Sequence, residues 1–151
     1  MKNKVIYMEA AKEYDRLKIG LYYPDDVIWR YENVAVSMEA IDIRCREMIK
    51  TLNNASRNGG DIKAYEKLKS VGRMLGDELL TKNIKKELGK SEAEYLILRL
   101  DDHLVHIPWE LLCIDQEFLS LQFSMGRIVK TRQDIVKNSI RSLKRPLKMW
   151  I

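Results

Sequence analysis

The spacing of apolar residues changes from strand-like to helix-like and back along the chain, which limits the folds it can adopt. In residues 16–23, apolar residues alternate with polar residues or glycine, the period of a half-buried strand. Residues 38–53 and 61–88 carry apolar side chains at helical spacing, and residues 95–107 return to a period of two. This β-α-β order predicts a mixed α/β fold within one domain.

The first 35 residues are interpreted as an N-terminal β-hairpin extension. Two strands are expected over residues 4–12 and 16–23, and a turn at Lys12 to Asp15 joins them. A third short strand is expected from Val27 to Tyr31.

Two to three helices are expected in the middle of the chain. Ser37 is suited to cap the start of a helix over residues 38–53, because its hydroxyl can accept a hydrogen bond from a free backbone N–H. A second helix is expected to start near Asp61 and to bend near Gly76. The last helical piece is expected to stop at Gly89, a residue suited to the left-handed position after a helix.

The residues after the helices predict a mixed sheet. Tyr95–Leu100 reads as a strand, Asp101-Asp102 as a turn and His103–Ile107 as the returning strand of a hairpin. Pro108–Leu112 reads as a helical turn with proline at its first position. Phe118–Ile128 reads as one further extended segment.

Composition and the N-terminus argue for a globular, cytoplasmic protein without a membrane partner. Apolar residues make up 46% and charged residues 32% of the chain, too apolar a balance for a disordered protein. No run approaches the ~18 apolar residues that a membrane span needs. Acidic residues soon interrupt the apolar N-terminal stretch, which argues against a secretory signal. Cys45 and Cys113 read as free, buried thiols of a reducing compartment.

The net charge of +5 is concentrated in the last 25 residues. Residues 127–151 hold eight Lys or Arg residues and one acid, Asp134. Arg132–Lys144 is interpreted as a basic helix or linker, and Pro146–Ile151 as an apolar strand. A nucleic-acid partner for this basic tail is one hypothesis. The scattered positions of the charges favour a solvated linker instead.

The most informative segment runs from Glu94 to Arg132. It combines an apolar strand, an acidic turn, a Pro-Trp-Glu-Leu turn and an arginine near the end of the next strand. The residues that carry these features are Asp101, Asp102, Pro108, Trp109, Glu110, Leu111 and Arg127. In this combination the segment resembles the opening of CHAT domains, a family of caspase-like cysteine peptidases often joined to helical repeats. The resemblance extends over roughly residues 36–151.

The resemblance implies that the chain is the amino-terminal, pseudo-caspase-like part of a CHAT domain. It divides the chain into the hairpin extension (1–35), the front half of the domain (36–132), and a basic linker with the first strand of a missing core (133–151). The family's His–Cys dyad lies beyond that strand, so no residue here inherits a catalytic role, and no cofactor or metal is expected. The implied partners are the catalytic half, on the same or another chain, and helical-repeat proteins. A stand-alone pseudo-peptidase that regulates a partner is the main alternative.

Glu110 is the motif residue whose surroundings matter most. A carboxylate beside a buried tryptophan needs a partner, because an unpaired buried charge is strongly unfavourable. Arg127 and Arg132 are the candidate partners. A structural role for Glu110 is favoured over contact with a ligand.

The available histidines and cysteines do not predict an enzyme site. His103 and His106 are expected on opposite faces of one short strand, because odd spacing reverses the side of a strand. Cys113 follows the Pro-Trp-Glu turn, a position from which it could come near His106, whereas Cys45 lies on the core stripe of a helix. Neither a working dyad nor a metal-ligand spacing is expected from these residues.

Overall fold

The computed structural model describes residues 4–25 and 30–131 and has the mixed α/β fold that the sequence predicts. The strands of this part are β1 (Val5–Glu13), β2 (Arg16–Tyr22), β3 (Arg30–Ala35), β4 (Tyr95–Asp101), β5 (Cys113–Ile114), β6 (Glu117–Phe118) and β7 (Ser124–Lys130). The helices are α1 (Met38–Arg57), α2 (Ile62–Leu79), α3 (Lys82–Lys90) and α4 (Leu119–Gln122). Two 3₁₀ turns, Asp102–Leu104 and Trp109–Leu111, lie between β4 and β5.

Five strands form one sheet in the order β3-β2-β1-β4-β7. β2 is antiparallel to both of its neighbours, whereas β4 is parallel to β1 and to β7. The predicted hairpin of the first two strands is confirmed, and its first strand is also the centre of the whole sheet. β1, β2 and β3 therefore share one sheet with β4 and β7. The third strand is Arg30–Ala35, later than the predicted Val27–Tyr31, of which residues 27–29 lie outside the described residues.

All the helices and both 3₁₀ turns contribute to one core against a single face of the sheet. In the two central strands, alternate residues point toward the helices and are fully buried. In β1 these are Ile6, Met8 and Ala10, and in β4 they are Leu96, Leu98 and Leu100. Each leucine buried in this way contributes about 1.5–3 kcal/mol relative to an exposed one. The alternation that predicted the strands therefore also selects the face that the helices cover.

The helices begin at side-chain caps. Ser37 Oγ accepts a hydrogen bond from the backbone N–H of Ala40 at 3.3 Å, which confirms the predicted start of α1. Asp61 Oδ1 accepts from the N–H of Ala64 at 2.8 Å and begins α2. Between them, Gly59 and Gly60 have φ values of 77° and 60°, a left-handed conformation that glycine adopts without steric penalty. α2 then continues through Gly76 without interruption.

The third helix was predicted to stop at a left-handed Gly89; both the end residue and the left-handed glycine are wrong. Gly89 lies within α3, which ends at Lys90. Ser91 follows in an extended conformation (φ −65°, ψ 131°), and its N–H bonds to the carbonyl of Leu88. The chain leaves the helix directly into an extended segment, so no left-handed glycine is required.

The predicted hairpin from Tyr95 to Ile107 is also wrong, because His103–Ile107 does not form a strand. After β4, Asp101 Oδ1 accepts the N–H of His103 at 3.0 Å and caps the first 3₁₀ turn. A returning strand would need a free edge of β4, but β1 and β7 occupy both edges. Local capping and long-range pairing therefore override the alternating pattern.

The predicted single extended segment Phe118–Ile128 is broken by a turn of helix. Leu119 and Phe123 are buried, but Leu121, midway between them, is 63% exposed; one helical turn satisfies this pattern, whereas a strand would place all three on one face. The segment thus contains the last residue of β6, all of α4 and most of β7. The predictions for Arg132–Lys144 and Pro146–Ile151 lie outside the described residues. In the part of the chain that the structure describes, no helix has the length and apolar character needed to cross a bilayer.

The sheet face that points away from the helices carries aromatic and charged side chains. Tyr7 and Tyr22 stack with ring centroids 4.9 Å apart. The guanidinium of Arg99 lies 5.2 Å and 5.9 Å from the two ring centroids, within cation–π range. Desolvation raises the pKa of Tyr22, because partial burial disfavours the phenolate.

Candidate functional site

The Pro-Trp-Glu turn is fixed in place by its tryptophan. Trp109 is fully buried, and its indole Nε1 donates a hydrogen bond to the carbonyl of Leu104 at 3.0 Å. The predicted helical turn is confirmed as the second 3₁₀ turn, but Pro108 directly precedes it instead of occupying its first position. A buried indole with its N–H satisfied supplies a large contact area and one fixed orientation. Trp109 thus anchors the turn to the hydrophobic core.

A second anchor joins the turn to the edge strand β7. Arg127 Nε donates to Glu110 Oε1 at 2.7 Å, and Arg127 Nη2 donates to the other carboxylate oxygen. The same guanidinium donates to the carbonyls of Val105 at 2.7 Å and Ile107 at 3.0 Å. We call these four hydrogen bonds the Glu110–Arg127 clamp. They hold the chain on both sides of Pro108 against β7.

The clamp answers the question that the sequence left open about Glu110. Its predicted basic partner is confirmed as Arg127, while Arg132 lies outside the described residues. The hydrogen bond from Arg127 is the main reason why the pKa of Glu110 lies below its ordinary value, and partial burial opposes it. Both side chains are partly exposed, 26% for Arg127 and 35% for Glu110. Because the two carboxylate oxygens and the guanidinium are occupied with each other, this pair has the geometry of a structural link.

The other motif residues have contacts outside the clamp. Asp101 Oδ2 accepts the backbone N–H of Lys12 at 2.6 Å, so this carboxylate joins the end of β4 to the end of β1. Asp102 is exposed, with Oδ1 3.7 Å from His103 Nε2. Leu111 is partly buried against the core. The structure therefore joins Glu110 to Arg127 directly, gives Asp101 contacts of its own with Lys12 and His103, and leaves Asp102 at the surface.

Sequence reasoning missed the role of Gly72. A Cβ atom built on this residue would lie under 3.0 Å from the carbonyl oxygen of Leu111, closer than real Cβ atoms come. α2 thus rests directly on the backbone of the Pro-Trp-Glu turn. The available signal was a glycine inside an amphipathic helix, which is unfavourable by ~1 kcal/mol relative to alanine and needs a packing reason.

The cysteines and histidines do not combine into a nucleophilic pair. Burial raises the pKa of Cys45 to about 11, and it also raises the pKa of Cys113. His106 Nε2 lies 2.7 Å from Asp42 Oδ1 at the surface, so this histidine links the loop after β4 to α1. The prediction that His103 and His106 lie on opposite faces of a strand is wrong, because they lie in the loop after β4. Both thiols are protonated at neutral pH, the unreactive form.

Neither a metal-ligand cluster nor similarity to a known protein assigns a function to this site. Within residues 4–25 and 30–131, no three His, Cys, Asp or Glu side chains come together in a way that could hold a metal ion. No protein-family model matches the chain, and no curated protein matches it.

Proposed function

We propose that the chain is the non-catalytic, amino-terminal portion of a CHAT-type, caspase-like cysteine peptidase. Its role is to support a catalytic half, supplied by the same polypeptide or by a partner chain. The observation that carries the proposal is the Glu110–Arg127 clamp. This clamp joins Glu110 of the motif, through Arg127, to β7, an edge strand of the mixed sheet in the described part of the chain.

The position of β7 supports a scaffolding role. Among the described residues β7 pairs only with β4, so its other edge presents backbone N–H and C=O groups without strand partners. Ile128 is 46% and Val129 is 40% exposed on this strand. An exposed edge strand is a template for pairing with a further strand. In the proposed architecture the sheet of the catalytic half continues from this edge.

The clamp explains why such an edge would be useful to a partner. A strand that offers its edge must hold its own position without help from the missing neighbour. Arg127 fixes the middle of β7 to the turn through four hydrogen bonds, so the edge is preorganised before pairing. Preorganisation lowers the ordering entropy that association would otherwise require.

The properties of the two thiols support placing the chemistry elsewhere. A peptidase nucleophile needs a low thiol pKa and access to substrate. Cys45 and Cys113 are 4% and 2% exposed, and both have raised pKa values. Free buried thiols also fit the proposed cytoplasmic location, where cysteines stay reduced.

The first test is to read the coding sequence that flanks residues 1–151, together with the neighbouring genes. The proposal expects a downstream or adjacent segment with a histidine in a loop and a cysteine after a later apolar strand. Absence of such a segment from the reading frame and its neighbours overturns the proposal. It leaves a stand-alone interaction module as the better account.

Where the segment is found, the second test is assembly of the two halves expressed as separate chains. Ile128→Glu places a charge on the exposed edge strand, and the matched control Leu121→Glu places it on α4, where Leu121 is 63% exposed. Because charges on edge strands block pairing, we expect Ile128→Glu to abolish co-elution and Leu121→Glu to retain it. Equal co-elution of both variants contradicts attachment at β7.

A further inference from the structure

The outer surface of the helical hairpin carries a basic groove that the proposed scaffolding role does not use. The groove runs between α1 and α2 and encloses about 530 Å³. Its basic lining residues are Arg46 and Lys50 from α1, and Lys63 and Lys67 from α2. All four are exposed to solvent. We call this feature the α1–α2 groove.

The positive charge of the groove is not neutralised by the chain itself. None of the four basic side chains forms an ion pair with any described residue. The one acid in the lining, Glu47, has an oxygen 3.6 Å from Arg44 Nη1, so its charge is already offset. The groove therefore holds a net positive potential that is available to an anionic partner.

Each of the two helices places one pair of like charges in the groove. Arg46 and Lys50 lie four residues apart on α1, and Lys63 and Lys67 lie four residues apart on α2. Like charges at this spacing repel each other on a helix surface. Two such pairs face one groove, and an anion placed between them would relieve both repulsions. A solvated helix face does not require this arrangement.

Apolar residues in and beside the groove indicate what kind of anion fits. Ile43 belongs to the lining and is 49% exposed, and Ala64 is a further apolar lining residue. Ile49 is 50% exposed in an adjoining groove that continues the basic strip to Arg57. The lining has no aromatic side chain on which a nucleic-acid base could stack. A ligand with apolar and carboxylate groups matches this surface better than a nucleic acid does.

We infer that the α1–α2 groove is a docking site for an acidic, amphipathic helix of a partner protein. Such a helix would lie along the hairpin, as helices do in helix-in-groove recognition. Its apolar stripe would contact Ile43 and Ala64, and its carboxylates would contact the basic pairs on either side. Charge complementarity supplies the orientation and the partner choice.

The test uses a synthetic helical peptide of about 18 residues, or five turns, with glutamates on both sides of a leucine stripe. A second peptide has lysine in place of every glutamate. Binding to the full chain is followed by NMR chemical shifts and by fluorescence anisotropy. We expect the acidic peptide to shift resonances of α1 and α2, and the lysine peptide to leave them unchanged.

Two matched double variants decide whether the groove is the site. Lys50→Glu with Lys67→Glu reverses charge inside the groove. Lys82→Glu with Lys86→Glu makes the same change in net charge on exposed residues of α3. We expect the groove variant to bind the acidic peptide about tenfold more weakly or worse, and the α3 variant to bind almost as the parent does. The groove variant should retain the thermal stability of the parent, because each substitution removes a like-charge pair at i,i+4 while Lys50→Glu adds one with Glu47 at i,i+3.

Three outcomes contradict the inference. The acidic peptide fails to bind at low salt, or both double variants weaken its binding equally, which indicates non-specific attraction. Alternatively, a labelled single-stranded DNA of similar charge binds the groove more tightly than the peptide, which would assign it to nucleic acid. Because none of these measurements involves β7 or a peptidase activity, their failure leaves the proposed scaffolding role untouched.

Discussion

Gly72→Ala should destabilise the fold, because it forces apart α2 and the Pro-Trp-Glu turn. The added methyl would lie under 3.0 Å from the carbonyl oxygen of Leu111, and 3.4 Å from both the Cβ and the backbone N of Cys113. The nearest obstacle is backbone, so no side-chain rotation can relieve the overlap. Overpacking of this kind costs typically 1–3 kcal/mol, and the upper end applies to a rigid neighbour.

Alanine gains about 1 kcal/mol over glycine inside a helix, which offsets part of this penalty. A net loss of about 2 kcal/mol remains and corresponds to a fall in Tm of about 4–8 °C for a domain of this size. Thermal unfolding followed by circular dichroism measures it directly.

Gly76 provides the matched control, one turn further along the same helix. A Cβ there would lie 3.4 Å from the carbonyl oxygen of Cys113, an ordinary contact. Gly76→Ala should therefore leave stability unchanged or raise it by up to about 1 kcal/mol. If Gly72→Ala is as stable as Gly76→Ala, the close approach of α2 to the turn is refuted.

The remaining predictions concern the clamp and the thiols. Arg127→Ala removes four hydrogen bonds and should lower the free energy of unfolding in urea by about 2 kcal/mol. The control Lys130→Ala removes an exposed ion pair and should lower it by less than about 1 kcal/mol. Equal losses in the two variants would contradict the clamp. Because the pKa of Glu110 in the folded chain is lowered from 4.5, the ionised carboxylate stabilises the fold above that pH. The difference in unfolding free energy between the parent and Glu110→Gln should therefore shrink as the pH falls below about 4.5. A difference that stays constant with pH would contradict this role of the carboxylate. Cys45 and Cys113 should react with a thiol reagent at neutral pH only after denaturant is added, and fast labelling of the native chain would contradict their burial.

Much of the fold follows from local patterns, and the failures have identifiable physical causes. The hairpin of β1 and β2 and the buried stripes of the helices were predicted because period and capping act over a few residues. The strand at His103–Ile107 was predicted from the same kind of pattern and does not form. Both edges of β4 are taken by strands distant in sequence, which no local pattern reveals.

In the candidate site, too, some contacts could be predicted from the sequence and others could not. The partner of Glu110 could be predicted because a partly buried carboxylate requires a cation, and Arg127 lies on the strand that follows the turn. The hydrogen bond from the backbone of Lys12 to Asp101 joins residues 89 positions apart, and the pairing of His106 with Asp42 spans 64 positions. Such contacts depend on the assembled sheet and helices. The groove between α1 and α2 also exists only once the two helices pack together.

The central proposal is that these residues support a cysteine peptidase site without contributing its nucleophile. The most direct measurement treats the native polypeptide or complex that contains them with a peptidyl acyloxymethyl ketone, which alkylates peptidase thiolates. Mass spectrometry of the digest then locates the label. The account predicts a labelled cysteine outside residues 1–151, and loss of labelling when Arg127→Ala weakens the scaffold. Labelling of Cys45 or Cys113, or no labelling of any cysteine, would contradict it.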